Sequence, residues 1–197
     1  VQSLGWTALR CMVPCTLHRK PGVLPGPELK EGTTMETTVR EATMQAMVQG
    51  TYGSTDVLEL KDIDKPVVGD DQVLVRVCAA GVDPGVWHLM TGMPYLVRLM
   101  GYGLRTPKHR VRGTDLAGRV EAVGKNVTRF TAGDEVFGTC DGSFAEYACA
   151  DEAKVASKPV NLTFEQAAAV PVSALTALHG LRDKGQIQPG QKVLING

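Results

Sequence analysis

QVLVRVCAA, residues 72–80, decides the fold: Val73, Val75 and Val77 recur at every second position, so a single extended strand puts all three on one face. Shorter strand candidates surround it. QAMVQ (45–49) and VLELKDI (57–63) precede it across the Gly53-Ser54 and Gly69-Asp70-Asp71 turns, and LAGRVEAV (116–123), DEVFGT (134–139) and SFAEYACA (143–150) follow it. Turns at Gly124-Lys125-Asn126 and Ala132-Gly133-Asp134 separate these later runs. Many short strands at such spacing predict a β-rich, barrel-like unit. Cys78 falls inside the central strand and is expected to be a small buried hydrophobe.

One helix interrupts the strands. DPGVWHLMT (83–91) opens with Asp83 as N-cap and Pro84 at the first helical position. Beyond Pro159 the texture turns helical: Thr163 and Gln166 form a T-x-x-Q capping box, and Pro171 opens a second helix, VSALTALHGLRDKG, with Gly185 as its C-cap. The final KVLING (192–197) reads as a strand that halts at glycine, the first strand of an α/β unit whose phosphate-binding turn is expected to follow Gly197.

Composition narrows the classes of function. The chain of 197 residues is 43% hydrophobic and 21% charged, the balance of a folded globular protein. Its 21 Lys and Arg match 21 Asp and Glu, so no positive excess draws in nucleic acid or an anionic membrane. No apolar run approaches the roughly 18 residues that cross a bilayer. Five cysteines at 11, 15, 78, 140 and 149 form no C-x-x-C and leave an odd thiol, which suits a reducing, cytoplasmic setting. Residues 1–43, rich in proline and without periodicity, are expected to be a tail that is disordered or foreign to the domain, with Met35 and Met44 as alternative starts. Its acid-free first 27 residues have a faint transit-peptide flavour, which the prolines argue against.

Six strings, GVDPGVWHLMTG (81–92), RGTDLAGRVEAVG (112–124), AGDEVFG (132–138), GSFAEYA (142–148), AAAVPVSALTAL (167–178) and PGQKVLING (189–197), occur in the order found in one superfamily. Together they resemble the zinc-independent medium-chain dehydrogenase/reductases, specifically the quinone-oxidoreductase-like (zeta-crystallin-like) branch. The resemblance covers about Gln45 to Gly197. It implies a GroES-like barrel domain over 44–160, then connecting helices and the first strand of an incomplete Rossmann domain over 161–197. It also implies a cleft between them in which NADPH, or alternatively NADH, passes hydride to a quinone or conjugated carbonyl.

The same resemblance assigns candidate residues. Asp83 and His88 take catalytic roles, His88 as proton donor and Asp83 as orienter of helix or substrate, although an Asp here caps a helix whatever the function. Trp87 and Tyr95 are candidates for the acceptor pocket, and Thr176, Asn196 and Gly197 for the cofactor. A Trp in such a helix is equally a core residue, and a helical Thr equally back-bonds to the preceding turn. Zinc-containing relatives place a Cys where this chain has Asp83, His-Glu where it has Thr114-Asp115, and a third ligand near Val172. Catalytic zinc needs three ligands from Cys, His and carboxylate, so none is expected. Only Thr139, Cys140 and Asp141 stand where a four-cysteine structural zinc lobe would lie. Four basic residues of the 93–111 segment, Arg98, Arg105, Lys108 and Arg110, are candidates to face an acidic acceptor or simply to be solvated.

A homodimeric parent, inactive when reduced to this piece, completes the expectation. Two alternatives stand beside it: a zinc-type alcohol dehydrogenase with altered ligands, and a non-catalytic GroES-like binding or structural module.

Overall fold

The computed structural model describes residues 9–10 and 43–195. Most of the predicted 1–43 tail, together with Cys11, Cys15, Asn196 and Gly197, lies outside the described residues.

The described strands are β1 (Leu9–Arg10), β2 (Thr43–Gln49), β3 (Leu58–Asp64), β4 (Gln72–Gly81), β5 (Asp115–Val123), β6 (Glu135–Thr139), β7 (Tyr147–Asp151) and β8 (Val155–Ser157). The helices are α1 (Pro84–Thr91), α2 (Phe164–Ala168) and α3 (Pro171–Leu178). β4 is the spine. On one side it pairs antiparallel with β5, and on the other with β7, whose Asp151 to Tyr147 face Gln72 to Arg76, while β1 pairs with Ala79 and Ala80. β5 then pairs with β6, and β6 with β8.

This order forces the sheet to curl. β7 and β8 stand at opposite ends of the path β7-β4-β5-β6-β8, which laid flat would put them roughly 19 Å apart at ~4.8 Å per strand. Only the turn Glu152–Lys154 joins them, and four residue steps reach about 14 Å at most. The sheet therefore curls into a barrel. Register breaks in the β4–β5 ladder, between Leu74 and Val75 and between Val77 and Ala79, are bulges that tighten the coil.

The barrel interior is filled as the alternation in β4 predicts. Val73, Val75 and Val77 pack with Leu116, Val120, Phe130, Val136, Ala148 and Val155. Cys78, taken in the sequence for a buried hydrophobe, sits at the second bulge and is only half-buried; among the described cysteines Cys140 is the buried one. Burial, with the nearby Asp141 charge adding to it, pushes the Cys140 thiol well above the usual range.

The β2–β3 hairpin begins one residue before the expected domain start. It is fastened to the barrel by the Met47 N–H to Phe144 carbonyl bond and the Gln49 N–H to Arg110 carbonyl bond, both 2.8 Å. At the other end α2 seats Ala167 and Ala168 on Ala79 and Ala117, where small side chains let helix and sheet approach closely. The capping box is present: the Gln166 N–H donates to Thr163 Oγ1 at 3.2 Å, and the Thr163 N–H to Gln166 Oε1 at 3.0 Å.

Past Pro171 one local expectation holds and one fails. α3 runs on as a π-helical segment, His179–Lys184, with Gly185 as its C-cap as expected, although Gly185 keeps a negative φ of −75° and the left-handed residue is Gln186 at φ 47°. The Gly185 N–H reaches back to the Gly180 carbonyl, a five-residue closure that changes where the chain must reverse hand. Lys192–Ile195 is not a strand. A strand exists through its ladder, and among the described residues none pairs with this stretch.

Candidate functional site

Asp83, Thr114, Asp115 and the first turn of α3 meet at one place, where the barrel gives way to the helices. Asp83 ends the loop after β4 in extended conformation, so its Oδ1 can accept from the Gly85 and Val86 N–H groups at 2.6 and 3.3 Å and cap α1. Pro84, lacking an N–H, fits the first helical position. The other oxygen, Oδ2, accepts from the Thr114 hydroxyl at 2.9 Å. Asp83 is buried, and both of its oxygens are engaged.

Asp115, the first residue of β5, is 1% exposed. Both of its oxygens lie 3.3 Å from the Val172 N–H at the start of α3. Burial raises its pKa to about 7, against the Val172 hydrogen bond, with the neighbouring Asp83 charge raising it further. Gly81 allows this approach: a Cβ there would strike the Ala168 carbonyl and the Asp115 side chain. Asp115 was legible in the sequence only as half of a replaced ligand pair, because its partner stands 57 positions away.

His88, Trp87 and Tyr95 form a separate, exposed group. His88 Nδ1 is 2.8 Å from the Met93 carbonyl. In the neutral ring that bond makes Nδ1 the donor and leaves Nε2 to accept. Trp87 is half-exposed rather than core. Tyr95 is exposed, and the Arg98 guanidinium lies 4.9 Å from its ring centroid and 4.3 Å from that of Tyr52. Arg98 also donates to the Gly92 and Thr91 carbonyls at 3.0 and 3.3 Å, so it pins the end of α1 rather than awaiting an acidic acceptor. Arg105, Lys108 and Arg110 are solvated. Thr176, one turn beyond Val172, is exposed and back-bonds to the Val172 carbonyl at 2.7 Å.

The donor set does not suit a catalytic zinc. At the four corresponding positions only Asp83 and Asp115 carry carboxylates, and their oxygens are engaged by N–H and hydroxyl donors. Among the described residues no three of His, Cys, Asp and Glu cluster to hold a metal, and no helix is long and apolar enough to cross a membrane.

The sequence reading also missed Arg112. It sits in the run of basic residues yet is buried, lining a small cavity with Leu89, Tyr102, His109 and Thr114.

Known proteins resemble the chain over this region. Residues 69–160 match the alcohol dehydrogenase GroES-like domain. The chain is 37% identical over 157 residues to the quinone oxidoreductase of Homo sapiens, covering 78% of this chain and 45% of that protein. It is 36% identical over 166 residues to the 2-methylene-furan-3-one reductase of Solanum lycopersicum, covering 78% of this chain and 40% of that one. Among solved structures, a mycobacterial protein complexed with NADPH superposes with a TM-score of 0.64 at 27% identity, over 75% of this chain and 42% of the other. The chain thus spans somewhat less than half the length of the curated relatives it matches. With the curled barrel, the capped α1 and the buried Asp115 joint, these matches show that residues 69–160 form a GroES-like domain of the alcohol dehydrogenase kind and that the chain is similar to quinone oxidoreductases over part of their length.

Proposed function

We propose that this chain supplies the barrel wall of an NADPH-dependent reductase that passes hydride to a quinone or a conjugated carbonyl. The observation that carries the reading is the convergence of Asp83, Thr114, Asp115 and the N-terminus of α3 at the barrel's end, where the Thr114 hydroxyl and the Val172 N–H donate to the two carboxylates. The names of the human and tomato relatives, a quinone oxidoreductase and an enone-type reductase, support the acceptor class, and the NADPH-bound neighbour supports the cofactor.

NADPH, when bound, supplies the hydride, and the acceptor's product anion is delocalised, so positioning and water exclusion matter more than strong acid catalysis. The exposed Thr176 fits the nicotinamide end, since its oxygen still accepts while its proton goes to Val172. Asn196 and Gly197 are assigned to the cofactor's phosphate side. Asp83 is a positioning residue: it fixes the start of α1 and, through it, His88. For His88 to deliver a proton it must be imidazolium, with Nδ1–H held by the Met93 carbonyl and Nε2–H free to donate. Trp87 and Tyr95 offer apolar surface to the acceptor. The reading needs no zinc, and it goes with a cytoplasmic, homodimeric parent.

The test is an acceptor screen on the protein expressed from the complete reading frame, with elemental analysis of the same sample. Oxidation of NADPH by quinones or enones, with zinc far below one per chain, is expected. Turnover of simple alcohols alone, with one tightly held zinc, would replace this reading with a zinc-type alcohol dehydrogenase.

A further inference from the structure

Arg112 is 6% exposed, and no carboxylate among the described residues pairs with it. Its guanidinium donates to the Leu89 carbonyl at a long 3.4 Å and to the His109 carbonyl, while Nε has no partner. Guanidinium stays charged at any physiological pH and presents five donors in a fixed fork. Burying such a charge costs several kcal/mol unless an anion meets it. Burial indeed lowers its pKa, with Tyr52 pulling the other way.

The cavity beside Arg112 has a volume of about 20 Å³. That holds one water-sized group, hence one oxygen of an anion whose remainder stays outside the cavity. Leu89 contributes an apolar wall, and Tyr102, His109 and Thr114 contribute polar groups. Asp141 is the one acid on the lining; it is exposed and makes no ion pair with the guanidinium. The segments flanking Arg112 hold two further buried side-chain atoms without partners, Gln49 Oε1 and Ser143 Oγ. Gln49 is tied to the Arg110 carbonyl and Ser143 to the Gly113 carbonyl through their backbone N–H groups.

We propose that this cavity is a carboxylate-binding site, in which the Arg112 guanidinium holds one carboxylate of a small acidic molecule. A guanidinium fork matches carboxylate geometry, and a charge-assisted bond in a sheltered site is among the stronger polar contacts. Thr114 lines the cavity and also donates to Asp83, so the occupant abuts the candidate site without depending on hydride transfer. Binding is measurable with no cofactor present.

The probe is fluoroacetate, followed by fluorine NMR on the 197-residue chain at constant ionic strength, with acetate, chloride and sulfate as competitors. Saturable broadening of the probe, reversed by acetate, is expected, with affinity falling roughly tenfold or more in Arg112→Met and partly kept in Arg112→Lys. Should Arg112→Met fail to fold, the wild-type chain still decides: the Arg112 Nε–H resonance is expected to move on adding acetate. A resonance that stays put, or broadening unchanged in a folded Arg112→Met chain, overturns the proposal. Chloride or sulfate competing as well as acetate does so too, since the site would then take any anion.

Discussion

β4 and α3 are both strongly apolar in sequence, yet they end in opposite surroundings. β4 has β5 on one side and β7 on the other, and its Val73, Val75 and Val77 vanish into the barrel. α3 is held to the barrel at its first turn, through buried Pro171 and the Val172 N–H to Asp115, and then leaves it. Leu175 and Leu178 stay 53% and 46% exposed, and Leu181 of the π-helical segment is open as well. Composition alone does not decide burial; the available partners do. An apolar face left open on this scale is a surface for another body.

The comparison breaks most visibly in paired truncations. Leu116→Ala, inside the barrel, is expected to cost about 2–5 kcal/mol in urea unfolding. Leu178→Ala is expected to change stability by no more than ~0.5 kcal/mol. Equal losses would mean that α3 is as much part of the core as β5.

Next in size is the joint between the two regions. Asp115 has a folded pKa of about 7, above the usual carboxylate value, so the folded state binds its proton more tightly than the unfolded chain does. Its contribution is full below the unfolded pKa, near 4, and is lost as pH rises through about 7. Stability is therefore expected to fall across that window, and Asp115→Asn, which keeps an acceptor for the Val172 N–H, should flatten the profile. A wild-type profile already flat between pH 4 and 7 would remove the buried-carboxylate account of the joint. The smallest effect concerns α2, which bridges the regions: Thr163→Ala removes a cap and is expected to cost about 1 kcal/mol. A null result would show that α2 is held by Ala167 and Ala168 alone.

Features written in neighbouring residues were legible before the structure. The β4 alternation, the Asp83-Pro84 helix start and the Thr163-Gln166 box each need only a few positions, and each is present. What escaped depends on distant partners. Arg112 sits among Arg105, Lys108 and Arg110 and looked no different from these solvated neighbours, yet it is buried, in a stretch whose Arg110 and Gly113 carbonyls accept from the distant Gln49 and Ser143 N–H groups. Arg98 was misjudged for the same reason, since Tyr52 lies 46 positions before it in the numbering. Lys192–Ile195 has the composition of a strand, but among the described residues nothing forms a ladder with it. Asp115 announced itself only as a substituted ligand position, and its role became visible when α3 arrived at it.

The most direct measurement sets the 197-residue chain beside the protein from the complete reading frame, each mixed with NADPH and a simple quinone, and follows cofactor absorbance. The account predicts sustained oxidation by the longer protein and none by the chain, because dinucleotide binding needs a glycine-rich turn backed by a helix N-terminus and residues 1–197 contain no G-x-G-x-x-G run. Sustained turnover by the chain alone would place the cofactor site elsewhere, and a longer protein inert toward every quinone and enone would contradict the reductase itself.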